Sequence, residues 1–202
     1  MKSLSKAVIA VALSATAPSA HAAVTFYDAV LSGINESPPN ASPGTGYAVA
    51  AYDNIAHSLR IEISFSGLLG TTTASHIHAT TAVAGTGTAG VATTTPYFTG
   101  FPIGVTSGVY DHTFDLTLAT SYNPSFVSAN GGTGGAETAL TQAMANGKAY
   151  LNVHSSFAPG GEIRGFFAPG GAPEASTWMM LVLGFGMTGA AIRGARRQSV
   201  IA

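Results

Sequence analysis

The chain has no cysteine, and only 8% of its 202 residues are charged. Without thiols there is no disulfide staple, no thiolate ligand and no cysteine nucleophile, so any metal site must use nitrogen and oxygen donors. Basic residues are scarce in the body. Between residues 23 and 172 only Arg60, Lys148 and Arg164 stand against Asp28, Glu36, Asp53, Glu62, Asp111, Asp115, Glu137 and Glu162, three against eight, a formal −5. The whole-chain value of −1 hides an acidic body behind basic ends. No basic patch is present to neutralise phosphates, which excludes nucleic acid as a partner. Ser-His-Asp spacing, paired carboxylates at usable positions and a phosphate-cradling loop are also missing, so no catalytic residue is assigned.

The two ends read as targeting segments. Lys2 and Lys6 precede a short apolar run from Ala7 to Ala15, and Ala20-His21-Ala22 has the small-x-small form of a signal peptidase site. Residues 1–22 are therefore expected to be a signal peptide cleaved after Ala22. At the other end come Pro173-Glu174-Ala175-Ser176-Thr177-Trp178, an apolar run to Ile192, and then Arg193, Arg196 and Arg197. A helix over Ala175 to Ile192 would reach roughly 27 Å, enough for a thin bilayer. The arginines on its far side orient the C-terminus to the cytoplasm and everything upstream outside. A transmembrane helix is expected over 176–192.

These last thirty residues, 173–202, resemble the PEP-CTERM sorting signal of Gram-negative bacteria, in which a Pro-Glu-Pro motif, a membrane helix and a basic end are recognised by an exosortase. Ala175 stands where that motif has its second proline. The resemblance implies a protein held briefly in the inner membrane with its domain in the periplasm, then delivered to the cell surface or secreted. Signal peptidase and exosortase would be its processing partners, and exopolysaccharide or other matrix and biofilm components its surroundings.

The body, 23–172, is long enough for one domain with a real core. Its signal is β. Ser58 to Phe65 alternates, with Leu59, Ile61, Ile63 and Phe65 on one face. Similar runs cover Val24 to Leu31, Tyr47 to Tyr52, Tyr110 to Leu118, Ala149 to His154 and Glu162 to Phe167, separated by turn-forming clusters. This pattern predicts an all-β antiparallel Greek-key sandwich or barrel with one short helix over Ala136 to Asn146. From Ala79 to Gly108 the chain is Thr- and Gly-rich with little periodicity, and a loop of that length belongs to function or to a variable surface.

Histidines mark the candidate site. Ser75-His76-Ile77-His78 places two imidazoles on one face of a strand, because side chains two apart point the same way. Asn152-Val153-His154 adds a third, followed by Pro159-Gly160-Gly161-Glu162-Ile163-Arg164-Gly165. With Leu31-Ser32-Gly33, Asn35-Glu36 and Pro38-Pro39 near the start, these segments resemble the CHRD domain, named after chordin, from about Phe26 to Phe167. That resemblance implies no common activity. The histidine spacing is also similar to the copper side of copper-zinc superoxide dismutase, although a fourth comparable histidine and a His/Asp zinc loop are missing.

Two readings of the histidines follow. His76, His78 and His154 could be ligands, since neutral imidazole suits copper or zinc. Alternatively they form a structural polar network with Asn152, Glu162 and Arg164, the last two suited to pair with each other. His112 is expected to be a buried core histidine beside Tyr110, Phe114 and Leu116, and His57 to be exposed near the Asp53-Asn54 turn. Gly160, Gly161, Asn35, Glu36, Pro38 and Pro39 read as turn residues.

Overall fold

The computed structural model describes residues 24–171. The expected signal peptide with Ala20 and Ala22, the expected sorting residues Pro173, Glu174, Trp178, Arg193, Arg196 and Arg197, and the expected membrane helix lie outside that range. No helix among the described residues is long and apolar enough to cross a membrane.

Eight strands form one antiparallel sheet: β1 (Val24–Ser32), β2 (Thr45–Asp53), β3 (Ser58–Ser66), β4 (Thr72–His78), β5 (Gly108–Asp115), β6 (Tyr150–Ser155), β7 (Ile163–Phe166) and β8 (Ala168–Pro169). The spatial order is β4-β6-β7-β1-β2-β3-β5, with β8 also paired to β1. Of the two expected architectures, sandwich or barrel, the sheet is nearer the second: it curls into a half-barrel and does not separate into two layers. Its seam explains this. Ser32 at the end of β1 pairs with Arg164 of β7, so the β1-β2-β3-β5 half stays hydrogen-bonded to the β7-β6-β4 half. Gly165 makes the seam possible, because a Cβ there would run into the Val30 carbonyl.

Alternation in β3 buries Leu59, Ile61, Ile63 and Phe65, as its pattern dictates. They meet Leu31, Ala48 and Ala50 from the same half, and Ile77, Leu151, Val153 and Ile163 from the other, in one core. Among the described residues two α-helices are present where one was expected. The shorter, α1 (Pro124–Ala129), starts at an Asn123 cap that accepts from the Ser125 N–H, with Pro124 in the first turn. The longer, α2 (Thr133–Ala145), begins three residues before the predicted start and sends Ala136, Leu140, Ala143 and Met144 into the core.

Strand β5 stops at Asp115 and does not run on to Leu118. The Asp115 carboxylate accepts from the Thr117 N–H and hydroxyl, which turns the chain. His112 is half-buried, not a core residue; its ring lies edge-on to Phe114 with centroids 4.6 Å apart. His57 is exposed, and its Nδ1 lies 2.9 Å from a Glu137 oxygen, joining the β2–β3 turn to α2. Gly165→Ala is expected to destabilise the protein by about 2 kcal/mol through that carbonyl clash, read as a lower urea midpoint. An unchanged midpoint would remove the seam from this account.

Candidate metal centre

Strand alternation sorts β4 and β6 into two chemically distinct faces. Ile77, Leu151 and Val153 enter the core, while His76, His78, Tyr150, Asn152 and His154 point to the other side. The register sets His78 opposite Tyr150, His76 opposite Asn152 and Ala74 opposite His154, and Asn152 in turn opposite Arg164 of β7. Loops roof this second face, so His76 retains only 7% exposure and Asn152 3%.

The roof fixes each imidazole. His76 Nδ1 lies 3.1 Å from the Pro96 carbonyl oxygen, His78 Nδ1 2.8 Å from that of Ala89, and His154 Nδ1 2.7 Å from that of Pro159. A carbonyl oxygen can only accept, so each bond requires the proton on Nδ1 and, in the neutral ring, leaves Nε2 as a bare lone pair. Those lone pairs converge. His76 Nε2 and His154 Nε2 are 3.0 Å apart, and His78 Nε2 is buried without a hydrogen-bond partner. One donor atom from each ring falls within 4.8 Å of the others. Three nitrogens around a metal at about 2.0 Å would stand roughly 3.5 Å apart, between the shortest and the widest of these separations.

Two lone pairs facing at 3.0 Å repel unless a cation lies between them, either a proton or a metal. A proton is disfavoured here. Burial first, and then the neighbouring His78 and His154, push the His76 pKa down to about 4. Burial likewise takes His78 down to about 4 against the opposing Ala89 bond, with His154 and Arg164 adding to the depression. His154 is lowered by burial, partly offset by its bond to Pro159. Neutral imidazoles whose Nδ1 is held by a backbone carbonyl are the form that binds transition metals.

The remaining predicted residues divide into two groups. Arg164 tops the site by bonding the carbonyls of Asn35 and Gly87, with Glu36 at 3.8 Å. Its guanidinium lies 4.8 Å from the Tyr150 ring centroid, and Tyr150 stacks on His78 at 4.6 Å. Burial lifts Glu36 to about 7, with Arg164, the Ser37 N–H and Asn152 pulling the other way. Glu36 and Asn152 flank Gly161, where φ is +131° and a Cβ would stand 2.5 Å from the Asn152 amide nitrogen and 2.7 Å from a Glu36 oxygen. Gly161 therefore serves close approach as well as the turn.

Glu162 does not pair with Arg164. It is fully buried and accepts from Ser42 Oγ at 2.6 Å, the Leu69 N–H at 2.6 Å, the Gly70 N–H at 3.2 Å and Ser155 Oγ. Burial alone would raise its pKa, but the bonds from Ser155, Ser42, Leu69 and Gly70 outweigh burial and hold it below the usual range. The expected six-residue network is thus two constructions: the histidines with their carbonyl roof, and a Glu162 clamp joining three chain segments. Tyr150, Ser42, Ser155 and the three roofing carbonyls carried no signal in the sequence.

Acidification separates these contributions. The unfolded chain protonates histidine near 6.5 while folded His76 and His78 stay neutral to about 4, so metal-free stability falls with falling pH across that window, by about 1.4 kcal/mol per pH unit for each histidine. Glu36 works oppositely, gaining stability as pH falls from about 7 towards its unfolded value. Chelator-treated protein is expected to lose stability between pH 6.5 and 4.5, and His76→Ala/His78→Ala to flatten or reverse that slope. Identical slopes would contradict buried neutral histidines. Glu162→Gln is expected to cost about 2–3 kcal/mol in denaturant unfolding while leaving the metal stoichiometry unchanged; an unaltered midpoint would show that the clamp contributes nothing.

Comparison with protein families matches residues 27–167 to the CHRD domain, over the segments that carry the histidines, Glu36 and Arg164. Comparison with curated proteins and with solved structures gives no match. The match spans most of the chain, which belongs to the CHRD domain family.

Proposed function

We propose that this chain is an exported CHRD-domain protein that acts as a non-catalytic binding module at the cell surface or in the extracellular matrix, and that its domain is built to hold one copper or zinc ion. The observation that carries the metal assignment is the clustering of one ring nitrogen from each of three imidazoles whose Nδ1 atoms are committed to backbone carbonyls, with the Nε2 atoms of His76 and His154 3.0 Å apart. A purely structural network would place a donor opposite an acceptor. Here His76 and His154 present two acceptors to each other. His76, His78 and His154 supply the nitrogens, and Tyr150 stacks against His78.

Export rests on the ends of the chain. Removal of residues 1–22 by signal peptidase, passage through the inner membrane and recognition of 173–202 by an exosortase would release the acidic domain among exopolysaccharide and other matrix components. Sorting is checked by mass spectrometry of the mature protein, which is expected to begin at Ala23 and to lack the residues from Trp178 onward. A mature form retaining 178–202 would contradict it.

Metal binding is checked by elemental analysis of the protein purified without chelator, beside His76→Ala/His78→Ala shown to be folded by circular dichroism. About one copper or zinc per chain, lost in the variant, is expected. A chain that takes up neither metal even on titration would overturn the assignment.

A further inference from the structure

The donor set carries a charge and a coordination number, and both discriminate among metals. All three ligands are neutral imidazoles, and no carboxylate joins the cluster among the described residues. The carboxylate of Glu36 is turned towards Arg164 and Gly161. Asn152 points its side-chain oxygen to the same Gly161 side. A divalent ion bound here would keep its full double charge inside a roofed site.

A second positive charge is already close. The Arg164 guanidinium sits over Tyr150, and Tyr150 stacks on His78, which places that cation within about 9 Å of the imidazole. Glu36 neutralises Arg164 only in part at neutral pH, because its own pKa is lifted to about 7. At an effective dielectric of about 20, one extra unit of metal charge at that distance weakens binding by up to about 20-fold, the limit set by an uncompensated Arg164.

Coordination number points the same way. Zinc takes four ligands in a tetrahedron and cupric ion a tetragonal set, so each would need at least one donor beyond the three imidazoles, and among the described residues no carboxylate joins them. Cuprous ion has a filled d shell and a single charge, and three nitrogens suffice for it. Selection here comes from charge and ligand count, not from donor softness, because imidazole serves zinc and copper alike.

We propose that the three-imidazole site takes copper as the monovalent cuprous ion in preference to zinc or cupric ion. This rests on the metal-binding reading above, and the test separates the two. Full-length protein is titrated anaerobically with copper(I) against a chromophoric cuprous chelator, and separately with zinc(II) and copper(II) against matched chelators, with His76→Ala/His78→Ala throughout. The expected result is one copper(I) per wild-type chain, absent from the variant, with zinc(II) and copper(II) each bound more weakly, by up to about 20-fold. Equal or tighter binding of zinc(II) or copper(II) through the same histidines would overturn the cuprous preference and leave the metal site standing. Failure of all three ions to bind, or binding that persists in the variant, would overturn both.

Discussion

Three backbone carbonyls, those of Pro96, Ala89 and Pro159, each accept an Nδ1 proton and so decide what His76, His78 and His154 can do. Once the proton is committed there, Nε2 of each ring has only a lone pair to offer, and strand geometry aims these lone pairs at one another. The 3.0 Å approach of His76 to His154 is unfavourable between acceptors and favourable around a cation. Depressed histidine pKa values follow from the same enclosure, since a buried imidazole next to two others cannot readily take a proton.

The carbonyls are only as well placed as the loops that carry them. Pro159 belongs to the turn that Gly161 permits, and Glu162 one residue later ties that turn to Ser42, Leu69, Gly70 and Ser155. Ala89 and Pro96 lie in the long segment after β4, which is anchored through Gly87 to Arg164 and through Val91 to His78. Arg164 stands at the seam opposite Ser32, so the half-barrel closure and the roof over the histidines share one residue. A buried charge in such a position is tolerated because carbonyls of Asn35 and Gly87 and the rings of Tyr150 and Phe166 surround it.

Much of this was legible in the sequence where the cause is local. The alternation of Ser58 to Phe65 gave a strand with the right face inward, and His-Ile-His gave two imidazoles on one side because that follows from a period of two. Helix α1 was missed although Asn123-Pro124 is a cap followed by a first-turn proline, a signal too short to outweigh the surrounding polar residues. The choice of one curled sheet over a two-layer sandwich was not legible, because the pairing of Ser32 with Arg164 joins segments far apart in the chain and only Gly165 hints at it. Nor was the fate of Glu162: its spacing from Arg164 suggested an ion pair, whereas β7 begins after Glu162 and leaves its carboxylate with the loops. Carbonyl acceptors have no sequence signature at all, which is why the histidines could be found but their tautomers could not.

The most direct test of the central claim is the tautomeric state of the three imidazoles, read by long-range nitrogen–proton NMR of the ¹⁵N-labelled protein at pH 7 with one equivalent of a diamagnetic metal, copper(I) or zinc. The account predicts that His76, His78 and His154 all carry the proton on Nδ1 and that all three Nε2 resonances shift on adding metal, while His57 and His112 do not respond. An Nε2-bound proton on any of the three in the presence of metal, or Nε2 resonances indifferent to it, would contradict a converging metal site and make these histidines structural partners of the strands they stand on.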